Sequence, residues 1–271
     1  MKHGAKRRFN AGQRVSVLVF LLALPLFAVV LLLPLIKVYS PNTAYSETAN
    51  KPGKVRSVLL LIHNEENALT GAVSVQIDTV RMRAEVCGYP KQTEVTNGTL
   101  LCTLQTCYAA LGTKTGERLS AVTGDTYDAV WRLSTDGVGE FVSRLGGGVS
   151  YTLPETVGLL GAGEQLLTAQ QIAELLRYGG WGKPAEGQAA MHAGIVAAVI
   201  DRFLAPSYDL KNSFNALTAV CDDRITIAQF TVVKEELLQL SQANTRGLCR
   251  VSVATGEMVG VGENERYVLT E

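Results

Sequence analysis

The first long apolar stretch of the chain carries no charge over residues 15–36. As an α-helix these 22 residues rise about 33 Å, which matches a bilayer core of about 30 Å. A cleaved signal peptide, the alternative, has only about 7–15 apolar residues and a small-residue cleavage site, for which residues 37–40 are a poor match. The pattern therefore predicts one transmembrane helix over residues 15–37, after a tail of residues 1–14.

Later apolar positions follow the period of β-strands. Residues 55–62 form a largely apolar run, as expected of a central strand buried on both faces. Val73, Val75 and Ile77 alternate with polar residues, and a second strand is predicted over residues 80–86. These two strands are close enough in sequence to form a hairpin.

Helical and extended patterns interleave in the remaining sequence. Helices are predicted over residues 99–111, 135–145, 168–178, 189–204 and 226–241, and strands over residues 127–133, 149–153, 248–253 and 267–269. Thr168 and Gln171, like Thr226 and Gln229, have the spacing of a capping box. We therefore predict one α/β domain over residues 55–271, with a mixed central sheet layered with helices, since the hairpin argues against a wholly parallel sheet.

Charge is unevenly distributed along the chain. There are 25 basic and 25 acidic residues, but five basic residues precede the apolar stretch and the first acidic residue is Glu47. The remainder has a net charge of about −5, which argues against a nucleic-acid partner because phosphate contacts need clustered Lys and Arg. The positive-inside rule keeps the basic tail in the cytoplasm. Residues 38–54 then form a polar linker to an extracytoplasmic domain anchored in the cell membrane.

The five cysteines and three histidines narrow the candidate chemistry. An odd cysteine count in so large a domain does not indicate a disulfide scaffold, and buried free thiols are expected. Cys102 and Cys107 are five residues apart in a predicted helix and therefore point to different sides. Three histidines are too few for a His-rich metal site, and the sequence has no P-loop, G-x-S-x-G or H-E-x-x-H motif.

One block of the sequence resembles a known family. Its motifs are YDAVWRL (127–133), Gly137, Phe141-Val142, LGGGV (145–149), GEQLLTAQQ (163–171) and LRY (176–178). This order resembles the signature of the LytR-CpsA-Psr (LCP) family, and residues 88–93 fall where that family has a Ser-Ile-Pro-Arg-Asp-Thr motif. The resemblance covers about residues 55–271.

The resemblance implies a cell-envelope function. Members of this family act outside bacterial cells, anchored by one N-terminal helix, and transfer a glycopolymer phosphate from a polyprenyl pyrophosphate carrier to peptidoglycan. Arginines bind the pyrophosphate, carboxylates act with Mg²⁺, and an apolar tunnel holds the lipid. These residue types suit the chemistry, because the guanidinium fork is a bidentate phosphate donor and carboxylates bind a divalent ion that bridges phosphates.

The sequence departs from the family pattern at the chemical positions. Lys91-Gln92 stands where the family has Arg-Asp, so the guanidinium fork and one carboxylate are replaced. Glu65 or Glu66 could replace the Asp that follows the first strand of the family. Gly179 stands near the position of a second arginine, and the next helix offers a glutamine and a histidine instead of an Arg and a Gln.

Six residues are therefore the candidates for the site. Arg177 and Lys91 are the candidate catalytic residues, Arg81, Arg83, Gln188 and His192 are the candidate substrate-binding residues, and no metal ligands are assigned. Each also has a structural interpretation. Arg177 suits the last turn of a helix through the macrodipole, Arg81 and Arg83 share a face of a predicted strand that could be solvated, and His192 could be a core histidine.

Two functions remain open at this point. The first is an LCP-type phosphotransferase that attaches a polyprenyl-linked polymer to peptidoglycan, with Mg²⁺ as a cofactor implied by the resemblance. The second is a non-catalytic protein that binds lipid carrier or glycan, or that acts as a scaffold for cell-wall assembly. Replacement of the arginines and carboxylates favours the second, because a pyrophosphate needs matched donors. Transcriptional regulation is opposed by the predicted topology, which places the domain across the membrane from DNA.

Overall fold

A computed structural model describes residues 54–181, 183–203, 210–222 and 249–270, together with residues 225, 230, 233, 236, 237, 239 and 240. The predicted tail, transmembrane helix and all but the last residue of the linker lie outside these ranges, so they stay predictions. Among the helices that are described, none is long and apolar enough to cross a membrane.

The described residues form an α/β arrangement in which strands and helices interleave. The strands are β1 (Val55–His63), β2 (Leu69–Asp78), β3 (Arg83–Tyr89), β4 (Glu94–Asn97), β5 (Leu100–Thr103), β6 (Ala129–Ser134), β7 (Val149–Leu153), β8 (Gly163–Leu167), β9 (Cys249–Val253), β10 (Gly256–Val259) and β11 (Arg266–Leu269). The helices are α1 (Leu104–Leu111), α2 (Thr115–Thr123), α3 (Thr135–Arg144), α4 (Ala169–Arg177), α5 (Pro184–Phe203) and α6 (Leu210–Val220).

The central sheet has the strand order β6-β1-β2-β3-β9. β1 pairs parallel with β6 and β3 parallel with β9, whereas β2 runs antiparallel to both β1 and β3. Four of the five strands therefore point the same way, and only β2 is reversed. The predicted mixed sheet with a β2–β3 hairpin is confirmed.

Helices cover both faces of this sheet. Along β1, Val58 and Ile62 belong to one buried cluster, and Leu59 and Leu61 belong to a second cluster on the opposite face. This alternation follows from the two-residue period of a strand, and it explains why residues 58–62 of β1 are all apolar. The first cluster includes side chains of α3, α4, α5 and α6, and the second includes side chains of α1 and α2.

Several predicted boundaries differ from the structure. The predicted helix over residues 99–111 begins only at Leu104, because the Gly98-Thr99 turn makes a β4–β5 hairpin. The Thr103 side chain then caps α1 by accepting from the Thr106 N–H at 3.2 Å. Cys102 consequently lies in β5 rather than in the helix of Cys107, and packs against the same buried cluster.

The N-terminal ends of α4 and α5 follow from local sequence. The Thr168 side chain accepts from the Gln171 N–H, and the Gln171 side chain accepts from the Thr168 N–H at 2.8 Å, so the predicted capping box begins α4. α5 begins at Pro184, five residues before the predicted start, as suits a proline in the first helical position. Strand β8 was not predicted as a strand.

Candidate functional site

The candidate site lies at one edge of the central sheet, which we call the carboxyl edge. β1, β3 and β6 run in the same direction, so their C-terminal ends meet there. His63 is the last residue of β1, and Glu65 follows this strand. Lys91 follows β3, and Thr135 and Asp136 follow β6. Ligands of open α/β sheets bind at this kind of edge, outside the carboxyl ends of the strands.

Arg177 joins this edge from the last turn of α4. Its Nε donates to Thr135 Oγ1 at 3.0 Å, and its Nη2 contacts Glu65 Oε1 at 3.2 Å and also Asp136 Oδ1. We call these four residues the Arg177 cluster. The Thr135 side chain is buried, whereas the Arg177 side chain is 35% exposed.

Local sequence places the partners of Arg177. Ser134 accepts from the Gly137 N–H at 2.9 Å and so caps α3, which puts Thr135 and Asp136 in its first turn. An acidic side chain is favoured there by the helix macrodipole. Sequence reasoning missed Asp136, although an acid in a helix turn that follows a central strand could have indicated it. Of the two glutamates considered after β1, Glu65 is the one in contact with Arg177.

His63 is a second residue at this edge that sequence reasoning did not select. The buried ring has Nδ1 at 2.8 Å from the Asn64 carbonyl oxygen, its Nε2 contacts Asp222 Oδ2, and it stacks on Tyr108 with centroids 6.2 Å apart. Both partners are oxygen acceptors, so each ring nitrogen of His63 faces an oxygen. The Asp222 N–H donates in turn to the Arg132 carbonyl at 3.1 Å, which ties the end of β1 to β6 and to the segment after α6.

His192 lies in α5, fully buried beneath the same edge. Its Nδ1 lies 2.7 Å from the Gln188 carbonyl oxygen, and its Nε2 lies 3.3 Å from Thr70 Oγ1. Burial lowers the pKa of His192 to about 4; the hydrogen bond to Gln188 opposes this shift, and the positive charge of Lys91 adds to it. A neutral ring is therefore built into the core, where a Cβ on Gly71 would come within 3.1 Å of it.

Lys91 lies in a turn that is anchored by its backbone. The Thr93 N–H and hydroxyl both donate to the Pro90 carbonyl, at 2.9 and 2.7 Å, and the Lys91 carbonyl accepts from the Gln105 N–H at 2.9 Å. No described carboxylate forms an ion pair with the Lys91 ammonium. The turn therefore holds a positive charge at the carboxyl edge that no acid in the described ranges neutralises, close enough to affect His192.

Arg81 and Arg83 lie at the opposite edge of the sheet. Arg81 is in the turn before β3 rather than in a strand, and its side chain is 66% exposed and 3.7 Å from Asp78 Oδ2. Arg83 begins β3 and pairs with Glu85. Because Asp78 pairs with the first residue of β1, this edge is about 26 Å from the other end of that strand. The structure does not bring these two arginines to Arg177 and Lys91.

Trp181, which follows α4, fills space in the fold. It is only 5% exposed, its Nε1 donates to the Tyr178 carbonyl at 3.0 Å, and its ring packs edge-on against Tyr178 with centroids 5.1 Å apart. The Trp181 Cβ also lies where a side chain on Gly187 would be, which joins the loop closely to α5. This indole is a buried plug of the loop rather than an open platform for a sugar.

An apolar cavity of about 120 Å³ lies between the sheet and the helices below the carboxyl edge. Its lining consists of Val58, Leu60, Ile62, Val75, Ile77, Trp131, Leu133, Val138, Phe141, Val196, Val199, Ile200, Leu217, Phe230, Val233 and Leu237. Ile62 and Leu133 immediately precede His63 and Ser134, so the cavity begins directly beneath the polar edge. The indole N–H of Trp131 is buried and has no hydrogen-bond partner among the described residues.

The Mg²⁺ implied by the resemblance can be tested against these side chains. In the part of the chain that the structure describes, no group of three or more His, Cys, Asp or Glu residues is placed to hold a metal ion. Glu65 and Asp136 meet at this edge, but both contact the same nitrogen of Arg177. A cation between them would lie beside the guanidinium charge, so this arrangement does not fit Mg²⁺.

Comparison with solved structures identifies similar folds. B. subtilis TagV has 18% sequence identity and a TM-score of 0.65, with 81% of this chain and 91% of that chain covered. B. subtilis TagT has 14% identity and a TM-score of 0.63 over 82% and 89%, and TagT is also known in a structure with bound LI-WTA. A transcriptional regulator from Enterococcus faecalis has 13% identity and a TM-score of 0.66 over 80% and 82%.

Comparison of the sequence with protein families and with curated proteins identifies no relative. No protein-family model matches the chain, and no curated protein matches it either. The structural likeness therefore rests on the fold alone. The chain has an LCP-like fold, the fold of TagT, TagU and TagV.

Proposed function

We propose that this protein binds a cell-envelope glycopolymer carried on a polyprenyl pyrophosphate. The observation that carries the proposal is the position of Arg177 and Lys91 at the edge directly above a cavity lined by apolar side chains. A ligand with a multiply charged head and a hydrocarbon tail matches both parts at once. Arg and Lys attract phosphate oxygens, and the tail removes apolar surface from water.

The LCP-like fold and the predicted topology support this class of ligand. TagT shares the fold and has been seen with LI-WTA bound. The predicted transmembrane helix would place the carboxyl edge outside the cell, where envelope polymers are joined to peptidoglycan. The same topology, together with the acidic charge of the domain, argues against the DNA-directed function that the name of the Enterococcus faecalis protein indicates.

The cavity is too small to hold a polyprenyl tail unless its wall opens. A cavity of about 120 Å³ is smaller than an engineered cavity of about 150 Å³ that admits benzene, whereas a polyprenyl tail is many times longer. The tail therefore needs the helical wall to open. α3 and α6 contribute Val138, Phe141 and Leu217 to that wall, so their separation from the sheet would lengthen the cavity.

Binding without transfer is the form of this function that the Arg177 cluster favours. In a transfer, a peptidoglycan hydroxyl would attack the phosphorus next to the polymer, and the bond to the remaining polyprenyl phosphate would break. That leaving group gains negative charge, which matched donors must stabilise. Arg177 is already paired with two carboxylates, and Lys91, Gln92 and Gly179 stand where the family pattern has Arg, Asp and Arg.

The proposal is tested with the full chain in lipid nanodiscs. Calorimetry would measure binding of a polyprenyl pyrophosphate, the matching polyprenol and inorganic pyrophosphate. We expect the lipid pyrophosphate to bind at least tenfold more tightly than either part alone. Equal binding of the polyprenol and the lipid pyrophosphate would reject the proposal. Release of polyprenyl monophosphate from a polymer-loaded carrier in the presence of peptidoglycan would assign the phosphotransferase function instead of binding alone.

A further inference from the structure

Two of the three guanidinium nitrogens of Arg177 are engaged by the protein itself. Its Nε donates to Thr135, and its Nη2 contacts both Glu65 and Asp136. Two carboxylates therefore surround one guanidinium, and the cluster carries a net charge of −1. An anionic head that binds at Arg177 therefore lies beside a net negative charge.

The two carboxylates are held much less firmly than Thr135. The Glu65 side chain is 73% exposed and that of Asp136 is 55% exposed, whereas Thr135 is fully buried. Exposed ion pairs contribute little to stability, because water and salt weaken them and both side chains lose freedom. A ligand can therefore displace these carboxylates from Nη2 without disturbing the fold.

The Glu65 and Asp136 carboxylates can move away from Arg177 without moving the guanidinium itself. Glu65 lies in the loop between β1 and β2, and Asp136 lies in the first turn of α3. Rotation of either side chain away from Arg177 leaves the Nε–Thr135 hydrogen bond in place, so the guanidinium keeps its position. The Nη2 atom then becomes free to donate to a phosphate oxygen.

We propose that Glu65 and Asp136 are built-in competitors of the pyrophosphate at Arg177 and thereby limit how tightly the protein holds its lipid carrier. This inference rests on the proposed function. Its consequence is a binding site that captures a pyrophosphate-linked carrier through the tail and Lys91 but keeps the hold on the head weak. Such a site releases its ligand readily, as a protein that passes a carrier to another envelope enzyme must do.

The test is a gain of affinity, which damage to the fold does not produce. Glu65→Gln and Asp136→Asn remove the charge and keep the size of each side chain. With farnesyl pyrophosphate as the probe and the full chain in nanodiscs, we expect each variant to bind about two- to fivefold more tightly, and the double variant about tenfold. Inorganic pyrophosphate should show the same trend.

Matched controls separate this effect from a general change in charge. Glu66→Gln alters the neighbouring residue of the same loop, and Glu140→Gln alters a glutamate of α3 that pairs with Arg144. Both should leave the affinity within twofold of the unaltered protein. In an Arg177→Ala background most of the gain from Glu65→Gln should disappear, as a double-mutant cycle would reveal.

The outcomes distinguish a failure of this inference alone from a failure of the proposed function. If the unaltered protein binds farnesyl pyrophosphate and both amide variants bind it equally or more weakly, the inference is wrong. A weaker Glu65→Gln variant would then indicate that Glu65 holds the ligand directly or through a cation. If neither the unaltered protein nor any variant binds the probe, the proposed function fails and the inference fails with it.

Discussion

The two edges of the central sheet carry the same residue types in different arrangements. At the edge formed by the β2–β3 turn, Arg81 pairs with Asp78 three residues before it, and Arg83 pairs with Glu85 two residues after it. At the carboxyl edge, the contacts of Arg177 come from segments that are distant in sequence, β1–β2 and α3. Local pairs of the first kind form on any solvated hairpin, whereas the Arg177 cluster exists only when the domain is folded.

The apolar cavity extends between the two edges and is lined by different residues at each. Ile62 and Leu133, which line the apolar cavity, immediately precede the polar residues of the carboxyl edge. At the other edge, Ile77 lines the same cavity and immediately precedes Asp78, the partner of Arg81. The cavity therefore reaches both edges, and what distinguishes the carboxyl edge is that charged groups from distant segments meet beside the cavity there.

The largest effect that we predict concerns the buried histidine of the carboxyl edge. The pKa of His192 is lowered to about 4 in the folded state, against 6.5 in the unfolded chain. The unfolded chain takes up the proton first, so the titration of His192 does not change stability above pH 6.5. As the pH falls from 6.5 to 4 the free energy of unfolding should decrease by about 3 kcal/mol, with no further decrease from this group below pH 4.

Urea unfolding at pH 7, 5 and 4 measures this effect as a difference between proteins. His192→Asn keeps a polar side chain that does not titrate, so its stability should depend less on pH by that amount. Arg81→Ala, at the other edge, should keep the pH dependence of the unaltered protein. An identical pH dependence in His192→Asn and the unaltered protein would show that the ring is not held neutral.

The next largest effect that we predict is on ligand binding, and it differs between the arginines of the two edges. Arg177→Ala removes the guanidinium above the cavity, and we expect about 10- to 100-fold weaker binding of polyprenyl pyrophosphate, since a charge-assisted hydrogen bond contributes about 1.5–3 kcal/mol. Arg81→Ala and Arg83→Ala should bind it as the unaltered protein does. Calorimetry on the full chain checks all three, and equal losses at both edges would remove the distinction between them.

A cavity variant tests the apolar half of the same edge. Val199→Phe fills part of the cavity from α5, and we expect about tenfold weaker binding of the lipid pyrophosphate with unchanged binding of inorganic pyrophosphate. Overpacking should lower the stability by about 1–3 kcal/mol. Val122→Phe, at an exposed position of α2, is the matched control. Unchanged binding of the lipid in Val199→Phe would show that the tail lies elsewhere.

The smallest effects are on stability. Thr135→Val removes a buried acceptor and leaves the Arg177 Nε without its partner, so thermal unfolding should report a loss of about 1 kcal/mol. Arg81→Ala breaks a pair that is mostly exposed and should change stability by less than about 0.5 kcal/mol. A larger loss for Arg81→Ala than for Thr135→Val would contradict the assignment of the two edges.

Much of the fold follows from sequence patterns alone. The apolar β1 segment, the β2–β3 hairpin and the capping box of α4 depend on periodicity and on local hydrogen bonds, so they could be predicted. The turn position of Arg81 was also encoded, since Asp78 Oδ1 accepts from the Val80 and Arg81 N–H groups at 2.9 Å in a side-chain turn typical of aspartate. That signal was overlooked.

The candidate site could be predicted only in part. Arg177 and Lys91 were selected, but the contact of Arg177 with Asp136 depends on how α4 packs beside α3, which no local pattern contains. The pairing of His63 with Asp222 likewise requires the parallel register of β1 and β6. The resemblance indicates which segments to compare, whereas the pairing of charges depends on the tertiary structure.

The most direct test is a crystal structure of the full chain with a polyprenyl pyrophosphate. Phosphate oxygens within hydrogen-bond distance of Arg177, with the first isoprenyl units between Ile62 and Leu133, are the predicted result. A pyrophosphate bound at Arg81 and Arg83, or a tail outside the apolar cavity, would contradict the account.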